Sequence, residues 1–356
     1  MEWKSCKKIL VMRPDNMGDL LMSAPAIRAL SESFNCEITL LTSTMAQEAS
    51  SLLPWIKTVI CYDFPWLKTN DTLESGALAD VVSKIRAQSF DGCILFNVSS
   101  QNPAPSLMIA FMAGIPLRAA YCRENIYGLL THWLPDPEPY FEIRHQVTRD
   151  LELCAFIGAH TADHHIRIHV EENAANDKLQ NLGLKKNRFF IFHTGVSEAK
   201  RQFPKREWIK LAKLVTDQYG LPVLLTGNDK EQEIIEAVAI ELGKAVIPAA
   251  GLFNLKEFAS CIAMARAMVS VNTGPMHLAA AVGTPVLALY AKTNPQHIPW
   301  MVPSRIIEFD VLSSHLSHNQ VLRFQSKIAY PLPTSFPSTQ MIMAAFDDLL
   351  HETAAV

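Results

Sequence analysis

Val269–His297 reads VSVNTGPMHLAAAVGTPVLALYAKTNPQH. The spacing predicts a strand, a tight turn, a helix, a second strand and a second polar turn. Val269 to Val271 is a short apolar run. Asn272, Thr273, Gly274 and Pro275 carry helix-start chemistry, small polar caps and then an early proline. Met276 to Val282 is a short, Ala-rich helix whose small residues let it lie close on a sheet. Gly283 and Pro285 stop it, and Val286 to Tyr290 returns as a buried strand. A helix that opens at a strand's carboxyl end presents unpaired N–H groups and a partial positive charge, which suit a phosphate. His277, in the first turn, adds a donor. The stretch predicts half of a nucleotide-diphosphate site in an α/β domain.

The rest of the chain supports that reading. Its 356 residues suit two α/β domains, and a hydrophobic fraction of 49% can fill two cores. A formal net charge of -3 argues against a nucleic-acid binder held by bulk charge. The most apolar stretch, Leu107 to Ala120, is interrupted by Gly114, Pro116 and Arg118, so no transmembrane helix is expected. The apolar run after the N-terminal lysines ends at Arg13, too early for a signal-peptide core. Seven scattered cysteines without a C-x-x-C fit reduced thiols in a cytoplasmic protein.

Strands are predicted at Lys8–Met12, Glu37–Thr42, Val59–Tyr62 and Gly92–Asn97. Helices are predicted at Leu20–Phe34, Ala77–Gln88 and His145–Gly158, the last closing a first domain. This alternation implies a parallel sheet with helices on both faces. DPEPY at Asp136–Tyr140 is a Pro-rich break, and Glu171–Asn187 holds a linker and a short helix. The pattern then restarts with strands at Phe189–His193 and Val223–Thr226 and helices at Lys205–Tyr219 and Lys230–Leu242. An amphipathic helix at Ser338–His351 follows an extended connection through Pro331, Pro333 and Pro337, which suits a return to the first domain.

Four further stretches carry chemistry. In RPDNMGDLLMSAP, Arg13 to Pro25, Gly18 permits a tight backbone and Asp19 falls at a helix start. Asp19 reads either as an N-cap, with Asp15 and Asn16 as turn residues, or as a general base where α/β sheets bind ligands. HTGVSEAKRQFPKREW, His193 to Trp208, offers donors at Thr194, Gly195, Ser197, Lys200 and Arg201, for a phosphate or as a solvated basic loop. In TGNDKEQE, Thr226 to Glu233, Gly227 ends a strand, and Glu231, with Asp229 second, suits ribose hydroxyls or a helix's first turn. In AKTNPQH, Lys292, Thr293 and Asn294 project toward the same site or form an ordinary turn. His160, His164, His165 and His169 lack the carboxylate and thiol spacing of a metal site, and His165–Val170 alternates like a strand. There is no G-x-G-x-x-G after the first strand, no P-loop lysine motif and no G-x-S-x-G.

Together these pieces resemble glycosyltransferase family 9, the ADP-heptose:lipopolysaccharide heptosyltransferases. The N-terminal pattern is met by Arg13, Gly18, Asp19, Pro25 and the following AIRAL. The pattern D-[ST]-G-x-x-H-x-A-A-A-x-G-x-P appears as NTGPMHLAAAVGTP, then YAKTNP, and H-P-G-x-S with K-R-x-P as HTGVSEAKRQFP. PLRAAY and HQVTRDLELCAFIG are smaller echoes. Two positions depart: Asn272 replaces the family acid and Ala291 a glycine. A neutral amide donates as well as accepts, so the motif leaves the donor sugar open.

The resemblance implies an α/β GT-B architecture of two facing Rossmann-like domains with parallel sheets and a C-terminal crossover helix. An acceptor-binding domain over 1–170, a nucleotide-sugar-binding domain over 171–335 and a helix over 336–356 packing back on the first domain follow from it. It also implies inverting transfer without a metal or other cofactor, with Asp19 as base and Lys200 stabilising the leaving diphosphate. Thr194, Gly195, Ser197, Arg201, Gly227, Glu231, Asn272, Thr273, Gly274, Met276 and His277 fall on the donor side. Asn16, Gly18, Arg118 and Arg123 fall on the acceptor side. An anionic lipid A–Kdo acceptor accounts for Arg118, Arg123 and Arg144, and surface salt bridges do so equally. The implied partners are a nucleotide sugar, probed first as ADP-heptose, and a glycan or glycolipid acceptor, for a cytoplasmic monomer with at most peripheral contact at the inner membrane. The same fold with another nucleotide sugar and a soluble acceptor, or a non-catalytic nucleotide-sugar-binding protein, are the alternatives.

Overall fold

A computed structural model describes residues 2–67, 74, 76–196 and 198–354. The chain divides into two compact units, Met1–His169 and Val170–Val356. In the first, the strands are β1 (Lys8–Arg13), β2 (Glu37–Thr42), β3 (Ile56–Cys61), β4 (Gly92–Leu95), β5 (Leu117–Cys122) and β6 (His132–Pro135). Its helices are α1 (Met17–Met22), α2 (Ala24–Phe34), α3 (Thr44–Gln47), α4 (Ala77–Arg86), α5 (Ala104–Met112) and α6 (Gln146–Phe156). The second unit holds β7 (Phe190–His193), β8 (Val223–Gly227), β9 (Val246–Ala250), β10 (Ala267–Val271), β11 (Val286–Ala291) and β12 (Ser304–Phe309). Its helices are α7 (Asn176–Asn181), α8 (Lys205–Tyr219), α9 (Gln232–Leu242), α10 (Leu255–Met264), α11 (Gly274–Val282), α12 (Gln320–Ala329) and α13 (Thr339–Ala354).

Each unit is one parallel six-stranded sheet, ordered β3-β2-β1-β4-β5-β6 and β12-β11-β10-β7-β8-β9. Numbered within its own unit, the second order reads the same as the first, the doubly wound Rossmann arrangement. The order reverses between β1 and β4 in one sheet and between β7 and β10 in the other, and ligands of such sheets bind outside the strands' carboxyl ends at that reversal. The central strands are buried from Ile9, Phe190 and Ala267 onward and mostly apolar, as parallel sheets covered on both faces require.

Three sequence expectations change. The helix expected over Leu20–Phe34 is two helices, α1 and α2, parted at Ser23. Pro25 lacks the N–H to continue the first helix and sits instead in the first turn of the second. His165–Val170 is not a strand; it is a connection pinned by Asp163, which takes bonds from His165 and Arg167 and pairs with Arg28 of α2. The C-terminal helix α13 buries Ile342, Met343, Phe346, Leu349 and Leu350 in the core of the second unit, so the core that takes its apolar face is not the first unit's. Among the described residues no helix is long and apolar enough to cross a membrane.

Candidate functional site

In the first unit, β1 ends at Arg13 and the chain turns through Asp15 and Asn16 into α1. Asn16 and Asp19 form a reciprocal capping box, and the Asn16 N–H donates to Asp19 Oδ2 at 3.3 Å. The capping reading of Asp19 is thus realised, and the cap leaves its carboxylate beside Arg13 at the carboxyl end of β1. Arg13 Nη2 donates to Asp19 Oδ1 at 3.2 Å from a fully buried position. Burial alone would make the guanidinium easier to deprotonate; the carboxylates of Asp15, Asp150 and Asp19 outweigh it and raise its pKa. Burial pushes Asp15 and Asp150 up, against the pull of the same arginine.

Asp150 arrives from α6, where Ser23 Oγ donates to it at 2.6 Å and Gln146 Nε2 at 2.7 Å. One residue earlier, Arg149 grips Asp136 with two bonds of 2.7 Å, Glu138 with one of 2.8 Å and the Asn97 carbonyl beyond β4 at 3.2 Å. Its guanidinium lies over Tyr121, 4.1 Å from the ring centroid. So α6 braces the chain beyond β4 and the junction between α1 and α2. Sequence reading did not single out Arg149 and Asp150. Their signal was two charged residues on the buried stripe Gln146, Val147, Arg149, Asp150, Leu153 and Cys154 of an otherwise amphipathic helix.

The arginines assigned to the acceptor are engaged elsewhere. Arg118 donates to the carbonyls of Ile115, Gly128 and Leu129. Arg123 donates to the carbonyls of Glu138 and Ser99. Arg144 pairs with Glu138, Glu142 and Glu152. In Arg144 the salt-bridge alternative holds; Arg118 and Arg123 tie loops to the sheet, because a planar guanidinium bonds several carbonyls at once.

In the second unit, the chemistry gathers at the ends of β7, β8, β10 and β11. His193 Nδ1 lies 3.0 Å from Thr226 Oγ1, and burial lowers its pKa to about 4, which keeps the ring neutral. Gly195 and Gly227 are required by close approach. A Cβ on Gly195 would lie 2.8 Å from His193 Nε2, and one on Gly227 3.0 Å from Glu231 Oε2. Glu231 closes a capping box, its Oε2 accepting from the Asn228 N–H at 2.6 Å, so the helix-start alternative is realised in it. Thr194 is 7% exposed, and its buried hydroxyl has no hydrogen-bond partner among the described residues.

Asn272 is 5% exposed and its side chain is spent on the protein. Nδ2 donates to the Ala291 carbonyl at 3.2 Å and to Thr293 Oγ1 at 3.0 Å, while Oδ1 accepts from the Ala291 N–H at 3.2 Å. The amide stitches the end of β10 to the end of β11, a donor-and-acceptor task a carboxylate cannot perform. The AKTNPQH turn is likewise structural rather than site-facing. Thr293 holds Asn272, Asn294 caps the next turn, and Lys292 binds Asp310 and the Leu332 carbonyl, each at 2.9 Å.

Thr273 and Gly274 open α11. Pro275 has no N–H, and the Thr273 and Met276 amides bond the carbonyls of Val271 and Thr273, which concentrates the anion-binding character of this helix start near Gly274. Met276 and His277 are buried behind it. Arg201 Nη1 donates to the Asn272 carbonyl at 3.0 Å and so brings the basic loop onto this turn. Lys200 and Arg201 share Glu198, each 3.2 Å from its Oε2. Glu198 stood inside the quoted loop but was not picked, since one acid among cations carries no motif. Ser197 lies outside the described residues. Among the described residues no group of three or more His, Cys, Asp or Glu is placed to hold a metal ion.

Two parallel Rossmann-ordered units, each with polar side chains gathered at its strand reversal, are the architecture of the GT-B glycosyltransferases. The chain belongs to glycosyltransferase family 9 (heptosyltransferase), whose family profile matches residues 79–326. It is 27% identical over 305 residues to lipooligosaccharide heptosyltransferase 2 of Haemophilus influenzae, covering 82% of this chain and 85% of that protein. The crystal structure of a family 9 glycosyl transferase from Veillonella parvula superposes with a TM-score of 0.77 at 18% identity over 99% of both chains. The structure of E. coli ADP-heptose lps heptosyltransferase II gives 0.71 at 22% identity over 98% of this chain and 99% of that one.

Proposed function

We propose that the chain transfers a heptose from ADP-heptose to an acceptor of the lipopolysaccharide-core type, with inversion and without a metal. Family membership and the relatives' own activities support the substrate class. The observation that carries the mechanism is Asp19, a carboxylate held at the carboxyl end of a central strand by a buried arginine and a helix-start amide. As general base, Asp19 removes the proton of the acceptor hydroxyl as its oxygen attacks the anomeric carbon. The bond to the diphosphate breaks on the opposite face, and Lys200, Arg201 and the Gly274 helix start take up the charge that develops on the leaving group. Glu231 and Gly227 are the ribose side of this reading, Gly195 and Thr194 the phosphate side, with the orphaned Thr194 hydroxyl as a donor. Asn16 and Gly18 shape the acceptor side. A cytoplasmic monomer, touching the membrane only peripherally, fits the absence of a membrane-spanning helix among the described residues.

Asp19→Asn keeps the size and the cap and removes the base. Transfer, followed by mass spectrometry with ADP-heptose and a heptose-free lipopolysaccharide, is expected to fall by about 10²–10⁴-fold, while ADP binding by calorimetry is unchanged. Wild-type turnover in that variant rejects Asp19 as the base. A calorimetric screen of ADP-, GDP-, UDP- and CDP-sugars tests the donor, and tightest binding of a non-adenosine donor overturns that part.

A further inference from the structure

Arg13 differs from Arg118 and Arg149, two other buried arginines. Arg118 and Arg149 spend their guanidinium nitrogens on carbonyls and carboxylates. Arg13 is as buried as Arg149, yet its Nε and Nη1 have no hydrogen-bond partner among the described residues. It makes one hydrogen bond, to Asp19 at 3.2 Å, and one looser ion pair, Nε to Asp15 Oδ2 at 3.6 Å. A buried cation with unused donors is costly to keep, so its charge has to be compensated by the groups around it. Three carboxyls do so from three places: Asp15 in the turn, Asp19 on α1 and Asp150 on α6. Asp15 is itself held by the Gln101 side chain, and Asp150 by Ser23, whose hydroxyl also reaches the Asp19 carbonyl at 3.2 Å. Arg149 is the next charge beyond Asp150.

We propose that Arg13 is a positioning residue for Asp19, fixing the orientation and charge of that carboxylate, with Asp15 pairing with its guanidinium and the buried Asp150 carboxyl competing for its field. Asp19 meets the hydroxyl; Arg13 acts only through Asp19, because a fully buried guanidinium cannot touch substrate. Asp150 sets how much of Arg13's field is left for Asp19. Arg13 and Asp150 therefore act on Asp19 with opposite sign. Removing the cation makes Asp19 harder to ionise, and removing the competing carboxylate makes it easier.

This inference rests on Asp19 being the base, and the test separates the two ideas. The acid limb of kcat/KM against pH is measured for wild type, Arg13→Gln and Asp150→Asn with ADP-heptose and heptose-free lipopolysaccharide, beside Asp19→Asn. Arg13→Gln is expected to move the limb up by about 1–3 pH units, and Asp150→Asn to move it down by less than about one unit. A merely structural role lowers activity in both without opposite displacements. Should Arg13→Gln fail to fold by circular dichroism, Asp150→Asn and Arg13→Lys carry the test. Arg13→Lys retains the charge without the fork and is expected to restore the wild-type limb at reduced kcat. An unmoved limb in the folded variants with Asp19→Asn inactive overturns the positioning role and leaves the base standing. Full activity in Asp19→Asn overturns the base and this proposal with it.

Discussion

The two units share a strand order but fill the reversal point with opposite chemistry. In the first, Arg13, Asp15, Asp19, Asp136, Glu138, Arg149 and Asp150 pack as compensating charges beneath the strand ends. In the second, the corresponding ends carry His193, Thr194, Thr226, Asn272 and Thr273 with two obligatory glycines, and the cations Lys200 and Arg201 stand on a loop at the rim. On the proposed mechanism the first unit supplies a proton-abstracting carboxylate, which must be held in a defined charge state, as a buried ion network does. A polyanionic leaving group needs close backbone approach and cations that can reorganise, which glycines and a rim loop supply. Topology thus places a site, and the side chains decide what each copy of it does.

The contrast predicts unequal tolerance to charge removal, and Arg149 is its sharpest test. Arg149→Met removes the guanidinium between Asp136 and Glu138, leaving Asp136 without its cation and the buried Glu138 with Arg144 alone. The expected loss is about 3–5 kcal/mol in urea unfolding, with hydrogen exchange locating the loosened amides in the first unit. A loss below about 1 kcal/mol would mean that the network is solvated and the contrast between units overdrawn.

How much of this the sequence disclosed follows the same division. Strand–turn–helix punctuation is local, so β2 and α8 coincide with their expected limits, as caps and apolar runs sit next to one another in the chain. Strands β5, β6, β9 and β12 were not read, because short strands carrying Arg, His or Pro give no clean apolar run. Motif reading found Asp19 and the glycines, whose roles depend on immediate neighbours. It could not assign Arg118, Arg123 or Asn272, since the carbonyls of Gly128 and Leu129 that hold Arg118 and the partners of Asn272 lie 10 or more residues away, and those of Arg123 are on two separate loops. It missed Asp150 for the same reason: its partner Ser23 is 127 residues distant.

In the neutral half, the main titratable liability is a single ring. His193 is neutral in the folded chain until about pH 4, whereas an unfolded histidine takes up its proton near 6.5. Between those values the unfolded state binds more protons, so stability falls as pH is lowered through this window and the group adds nothing further below it. The full span corresponds to about 3 kcal/mol, less whatever the nearby Glu231 carboxylate returns to the protonated ring. His193→Asn, which keeps a partner for Thr226, is expected to flatten the stability profile of the second unit between pH 6.5 and 4. An unchanged acid slope in that variant assigns the sensitivity to the charged half instead.

Glu198 gives the smallest effect and bears most directly on the rim. Lys200 and Arg201 both pair with its carboxylate in the protein alone, so a diphosphate competes with it for them. All three side chains are partly exposed, which limits such pairs to about 0–1 kcal/mol. If Glu198 is a competitor, Glu198→Gln tightens ADP binding up to about fivefold in calorimetry, with the gain shrinking as salt rises. If its role is to hold the two cations ready, the same variant weakens ADP binding, because the freed side chains must be ordered again on arrival. The sign alone decides whether the rim loop of the second unit is mobile, as the comparison with the rigid first unit requires, or is braced by charge as that unit is.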